Sequence, residues 1–191
     1  NMFMRKDQAA IIWEPNDPKE DTITLTYGEL FKQVKQFANG LKKLGIKKGD
    51  RVAIYLPMVP ELVVSMLACA RIGAIHSIVF AGFSASALAD RINDAKAKAL
   101  ITSDGGFRGT KSIPMKGIAD EALEKSPSVE HAIILKHTND DINLVKDRDI
   151  WWNDVIDGVS DDNKAEEMDS EDILFILYTS GSTGKPKGVV H

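Results

Sequence analysis

Close to the end of the chain, Thr179-Ser180-Gly181-Ser182-Thr183-Gly184-Lys185-Pro186-Lys187-Gly188 concentrates hydroxyls, glycines and cations in one short stretch. The hydroxyls of Thr179, Ser180, Ser182 and Thr183 can donate to phosphate oxygens, and Lys185 and Lys187 supply positive charge. Gly181, Gly184 and Gly188 let the backbone turn and approach a ligand closely. The run before it, Ile173-Leu174-Phe175-Ile176-Leu177-Tyr178, is continuously apolar and reads as a strand buried on both faces of a parallel sheet. A glycine- and hydroxyl-rich loop at the carboxyl end of such a strand is where an open α/β sheet holds a nucleotide. It is not a Walker A loop. Gly181 and Gly184 stand too close together for that motif, and Lys185 is followed by Pro186, which has no N–H to offer. A flexible linker would not need two lysines and a proline in order behind an apolar strand.

Two further stretches have ligand-binding chemistry. Phe80-Ala81-Gly82 leaves an apolar run with an aromatic ring beside bare backbone, which suits packing against a flat base. Gly105-Gly106-Phe107-Arg108-Gly109-Thr110-Lys111 places two cations three residues apart among glycines, a pattern that suits a phosphate monoester. Turn glycines with solvated charges account for the second stretch equally well. Cys69 sits on an apolar helical face with no basic neighbour at helical spacing, and reads as a small core residue. His76 lies within an apolar run and reads as a satisfied core histidine.

The elements that carry these residues alternate between strand and helix. Residues 8–13 and 22–25 read as a hairpin around Pro15-Asn16-Asp17-Pro18. Thr26-Tyr27-Gly28-Glu29 is a capping box, opening a helix with Leu30, Val34, Phe37, Ala38 and Leu41 on one face and an end near Gly45. Strand 51–56, helix 61–72, strand 74–80, a helix capped by Ser84, strand 99–102, helix 118–124 and strand 132–135 follow. Residues 138–149 read as a polar surface excursion, Trp151, Trp152 and Val155 as the start of a short helix, and 157–172 as an acidic connection. This alternation predicts an α/β fold, with a mostly parallel sheet flanked by helices and right-handed crossovers, and no internal domain boundary.

Composition narrows the function classes. At 191 residues the chain can bury one substantial core. A net charge of −4 with dispersed basic residues argues against a nucleic-acid surface. No apolar run reaches the length of a membrane span, and Asn1-Met2-Phe3-Met4-Arg5-Lys6 is not followed by the apolar core of a signal peptide. The one cysteine excludes an intrachain disulfide framework and fits the reducing cytoplasm. A chain that starts without methionine and stops just past the loop reads as an excerpt of a larger enzyme.

Residues 178–188 resemble, without a gap, the phosphate-binding signature of the adenylate-forming enzymes, a group of acyl-CoA synthetases, peptide-synthetase adenylation domains and luciferases. Ile11-Ile12-Trp13-Glu14, the runs 49–58 and 73–84, Ala87-Leu88-Ala89-Asp90-Arg91-Ile92 and Gly105-Gly106-Phe107-Arg108-Gly109 are similar to the acetyl-CoA synthetase branch. The likeness spans nearly the full chain and is weakest in the first few residues and over 138–168. It implies that residues 1–191 are part of the large N-terminal AMP-binding domain, ending just after the phosphate loop. The adenine and ribose contacts, the acyl pocket and a small C-terminal domain would lie downstream, leaving the excerpt inactive alone.

The implied substrates are acetate, ATP with Mg²⁺, and CoA; no nucleic acid, membrane or protein-held metal is implied. Acetate attacks the α-phosphate to give an acetyl-adenylate and pyrophosphate, and the CoA thiol then displaces AMP. Thr179, Ser180, Gly181, Ser182, Thr183, Gly184 and Lys185 would hold the phosphates, with Thr179, Thr183 and Lys185 acting in catalysis. Phe80, Ala81 and Gly82 would border the CoA adenine with Ile113 opposite, and Arg108 and Lys111 would meet the 3′-phosphate. Related enzymes often carry arginine where Lys111 stands; lysine keeps the charge and loses the bidentate fork. A propionyl- or other short-chain acyl-CoA synthetase, or a non-catalytic nucleotide- or CoA-binding module, are the alternatives.

Overall fold

In chain order the elements are α1 (Met2–Arg5), β1 (Ala9–Trp13), β2 (Ile23–Thr26), α2 (Tyr27–Lys43), β3 (Arg51–Ile54), α3 (Pro60–Arg71), β4 (Ile75–Ile78) and α4 (Ala85–Ala95). They continue with β5 (Ala99–Ser103), β6 (Gly106–Arg108), β7 (Lys111–Ile113), α5 (Met115–Leu123), β8 (His131–Leu135), β9 (Asp149–Trp151), α6 (Trp152–Ile156), β10 (Ile176–Thr179) and β11 (Lys187–Val190). This computed structural model describes residues 2–179 and 186–191. Local chemistry sets the helix starts. Thr26 accepts from the Glu29 N–H at 3.2 Å while the Glu29 carboxylate accepts from the Thr26 N–H at 2.8 Å, the reciprocal box that opens α2. Pro60 occupies the first turn of α3, where no N–H is missed, and Ser84 caps α4 by accepting from the Ala87 N–H.

The central sheet has the order β4-β3-β5-β8-β9 with every pairing parallel. Its strands alternate between two apolar layers. Val52, Ile54, Ala99, Ile101, Ile133 and Leu135 face α2, α3 and α6, while Ala53, Leu100, Ala132 and Ile134 face α4 and α5. A sheet covered on both faces explains why these strands read as unbroken apolar runs. Phe37 of α2 stacks on Trp152 of α6, ring centroids 3.8 Å apart, and locks the first layer. Cys69 is buried within that layer, and burial pushes its thiol up to about 12, as expected of an inert core side chain.

Three elements differ from the sequence expectation. Residues 105–111 are not a plain loop: they hold most of the antiparallel β6–β7 hairpin, whose short strands carry no hydrophobic period to announce them. Trp151 ends a fifth parallel strand instead of starting a helix, because β9 aligns with β8 through Ala132, Ile133 and Ile134. The run 173–178 is not buried on both faces. β10 pairs antiparallel with β11, one parallel bridge from Phe175 to His76 ties this segment to β4, and Leu174 and Leu177 stay 45% and 42% exposed. Apolar continuity reports composition and cannot say which neighbours the strand finds. His76 is buried as expected, yet its Nδ1 has no hydrogen-bond partner among the described residues, and burial lowers its pKa.

The polar stretch 138–149 ends in a buried ion cluster. The Asp149 carboxylate, with no exposed side-chain surface, lies 2.9 Å from Lys116 Nζ and 2.6 Å from Arg148 Nε, and accepts the Val145 N–H at 2.8 Å. Burial alone would push the Asp149 carboxyl up; hydrogen bonds from Arg148, Val145 and Lys116 outweigh it and hold the carboxyl below its ordinary value. A carboxyl lowered in this way contributes stability above its unfolded pKa and loses that contribution as pH falls through the folded one. Asp149→Ala removes one partner of buried Lys116, which keeps Asp120 at 2.6 Å and the Asn143 carbonyl at 3.0 Å, and is expected to cost about 2–3 kcal/mol at neutral pH. Urea unfolding across a pH series checks this, and the gap to the unsubstituted chain should start to narrow as pH falls below about 4.

Candidate functional site

Four parallel strands end at one edge of the sheet, and the residues just past those ends enclose a cavity of about 290 Å³. The segment after β3 contributes Pro57, Met58 and Val59, the turn after β4 contributes Phe80, Ala81 and Gly82, and the hairpin after β5 contributes Phe107, Arg108 and Ile113. His137, after β8, and Trp13, Glu14 and Asn16 of the first hairpin close the rest. The carboxyl edge of an open parallel sheet is the usual ligand edge of such folds.

Each wall is fixed from behind. The Tyr55 hydroxyl lies 3.0 Å from the Ala81 carbonyl and 2.9 Å from that of Phe83, and donates into this pair from a fully buried ring. Burial pushes that hydroxyl up to about 12, so it keeps its proton at neutral pH. The turn it holds leaves Phe80 64% exposed at the cavity, with Phe83 edge-on at 5.6 Å. Arg91 caps the other side of Phe83 at 4.4 Å from the ring centroid. On the opposite wall, β6 and β7 turn through Gly109, whose φ of +60° is a left-handed conformation that suits glycine. Asn16 Nδ2 donates to the Gly109 carbonyl at 2.8 Å, and Trp13 Nε1 donates to the Met58 carbonyl at 2.6 Å, so the first hairpin braces both sides.

The structure thus brings Phe80, Ala81, Gly82, Arg108 and Ile113 to one cavity. Lys111 does not line it; it stands directly across the hairpin from Arg108. Two like charges in register repel, and neither has an acidic partner at ion-pair distance among the described residues, so an anion there would be favourable. Thr179 ends β10, paired with Lys187. Ser180, Gly181, Ser182, Thr183, Gly184 and Lys185 lie outside the described residues. The strand feeding them is anchored on α4: the Tyr178 hydroxyl donates to Asp94 Oδ2 at 2.8 Å, and Arg91 lies over the Tyr178 ring. No group of three or more His, Cys, Asp or Glu suited to a metal ion occurs among the described residues.

Sequence reasoning missed Trp13, Met58, Phe107 and His137 as wall residues. Phe107, an aromatic among glycines, had a usable signal. Trp13 and His137 had none, because they reach the cavity from elements 124 residues apart, as their numbering gives (137 − 13).

The AMP-binding enzyme model matches residues 3–191. The chain belongs to the AMP-binding enzyme family. Among its relatives, acetyl-coenzyme A synthetase of Rubrobacter xylanophilus is 58% identical over 187 residues, covering 98% of this chain and 29% of that protein. The enzyme of the same name from Syntrophobacter fumaroxidans is 58% identical over 191 residues, covering 100% of this chain and 29% of its own length. The chain therefore spans less than a third of these relatives. The solved structure of acetoacetyl-CoA synthetase from Streptomyces lividans superposes with a TM-score of 0.89 at 28% identity, covering 99% of this chain and 28% of that one. The mostly parallel sheet flanked by helices is thus the sheet of this family, and no helix among the described residues is long and apolar enough to cross a membrane.

For this family member, the hydroxyl of Tyr55 is what ties the Phe80–Phe83 turn to the sheet. Tyr55→Phe keeps the packed ring and is expected to lose about 1 kcal/mol of unfolding free energy, the net worth of one buried hydrogen bond. Denaturant unfolding at neutral pH measures it.

Proposed function

We propose that the whole protein is an AMP-forming acetate–CoA ligase of the cytoplasm, taking acetate, ATP with Mg²⁺, and CoA. The observation that carries this reading is the 58% identity to acetyl-coenzyme A synthetases across essentially the entire chain. In the first step a carboxylate oxygen of acetate attacks the α-phosphorus of ATP, and the bond to the β-phosphate oxygen breaks. Thr179, Ser180, Ser182 and Thr183 donate hydroxyl protons to the departing pyrophosphate, Gly181 and Gly184 donate backbone N–H groups, and Lys185 adds charge. Preorganised donors of this kind act where negative charge develops. Mg²⁺ neutralises phosphate charge when bound.

In the second step the CoA sulfur attacks the acetyl carbon, AMP departs, and the thiol proton passes to solvent. The cavity suits the nucleotide end of CoA. The exposed Phe80 ring and Ile113 form apolar walls for adenine, while Arg108, with Lys111 across the hairpin, meets the 3′-phosphate.

Acid-dependent ATP–pyrophosphate exchange by the whole protein, with acetate, propionate and longer acids in parallel, tests the reaction. Exchange that peaks with acetate is expected. A peak at another acid changes the substrate, and no exchange with any acid overturns the adenylation chemistry. Arg108→Ala is expected to raise the KM for CoA about tenfold or more while leaving dephospho-CoA within about twofold, since a charge-assisted contact to the extra phosphate is lost. Equal weakening of both would refute the contact.

A further inference from the structure

Just past the end of β5, the Asp104 side chain is buried, with the residue 1% exposed. Its Oδ1 accepts three backbone N–H groups: Gly105 at 2.7 Å, His137 at 2.8 Å and Thr138 at 3.0 Å. Its own N–H donates to the Leu135 carbonyl at 2.9 Å, and its carbonyl accepts the Lys116 N–H at 3.2 Å. One residue therefore ties together the start of the β6–β7 hairpin, the N-terminus of α5 and the segment after β8. These bonds begin where the β5–β8 ladder stops, at the Ser103–Leu135 pair. There the two strands give way to the loops that carry Phe107 and Arg108 on one wall of the cavity and His137 on another.

The arrangement is costly to fold. Asp104 Oδ2 and Thr138 Oγ1 are both buried without a hydrogen-bond partner among the described residues. A Cβ on Gly105 would collide with Thr138 Oγ1 and the Asp140 carboxylate, so the start of the hairpin and the segment after β8 are packed to contact. Unpaired buried acceptors and a desolvated carboxylate lower stability, and sequences keep such features where a site's geometry demands them.

We propose that Asp104 is a positioning residue for this cavity, its carboxylate holding the loops after β5 and β8 so that Arg108 and His137 face a preformed nucleotide-binding space. The proposal rests on the reading of the cavity as the CoA nucleotide site. Asp104 itself touches no ligand; it acts through the backbone of the residues that do.

The test uses the whole protein, with Asp104→Ala and Asp104→Asn measured in two assays. Asparagine keeps an Oδ1 that can accept the same three N–H groups; alanine keeps none. Asp104→Ala is expected to raise the KM for CoA about tenfold, and that for dephospho-CoA by the same factor, because the whole wall loosens and no phosphate contact is singled out. Acid-dependent ATP–pyrophosphate exchange and kcat at saturating CoA should stay within about twofold, and Asp104→Asn should lie within about threefold of the unsubstituted enzyme. If the alanine variant does not accumulate, Asp104→Ser replaces it with the same expected split. Parallel loss of exchange and CoA use, an unchanged KM for CoA, or an asparagine variant as impaired as alanine would each overturn the positioning role. An unsubstituted enzyme that exchanges pyrophosphate but does not use CoA would overturn the reading of the cavity instead, before any variant is compared.

Discussion

Parallel pairing is the constraint on which the rest of this structure depends. Hydrogen bonds from β3 to β4 and β5, and from β5 to β8, require each return connection to cross a face of the sheet, which places α3 on one side and α4 and α5 on the other. All four strands then finish at the same edge. The segments that follow them lie beyond the parallel ladder and become the walls of the cavity. Were one of these strands reversed, its outgoing loop would lie at the opposite edge and the cavity would lose a wall.

The walls acquire their shape from polar groups buried behind them. Tyr55 and Asp104 both stand just past the ends of central strands and reach forward, one to carbonyls of the Phe80–Phe83 turn and the other to amides of the loops after β5 and β8. The donor holds acceptors and the acceptor holds donors, so each loop is braced through its backbone and its side chains remain available to a ligand. Asn16 and Trp13 add braces from the first hairpin in the same manner, each donating to a main-chain carbonyl.

The strand that leads into the proposed phosphate loop is joined to the same framework through α4. Tyr178 is bonded to Asp94, Arg91 lies over both Tyr178 and Phe83, and Phe83 meets Phe80 at the cavity. The strand leading into the segment proposed to hold ATP phosphates and the wall proposed to border the CoA adenine thus rest on one helix. Both steps of the proposed reaction draw their positioning from a common support.

Helix and strand identities in the central sheet were legible in the sequence because they depend on local periodicity and caps: the Thr26–Glu29 box, Pro60 in the first turn of α3, and the apolar runs of β3, β5 and β8. The stretch 179–188 stood out in the sequence because its hydroxyls, glycines and lysines are contiguous. Phe80, Ala81, Gly82 and Arg108 stood out by their local chemistry, with turn glycines and solvated charges accounting for the Arg108 stretch equally well, while Ile113 was legible only through resemblance. What tertiary structure alone decided are the relations between distant segments. His137 beside Trp13, Asp104 beneath His137 and Thr138, Asp149 beside Lys116, and the pairing of β10 with β11 in place of burial all depend on which loops the parallel sheet brings together. A sequence carries the local preferences of each segment; long-range packing selects the neighbours, and here the neighbours make the site.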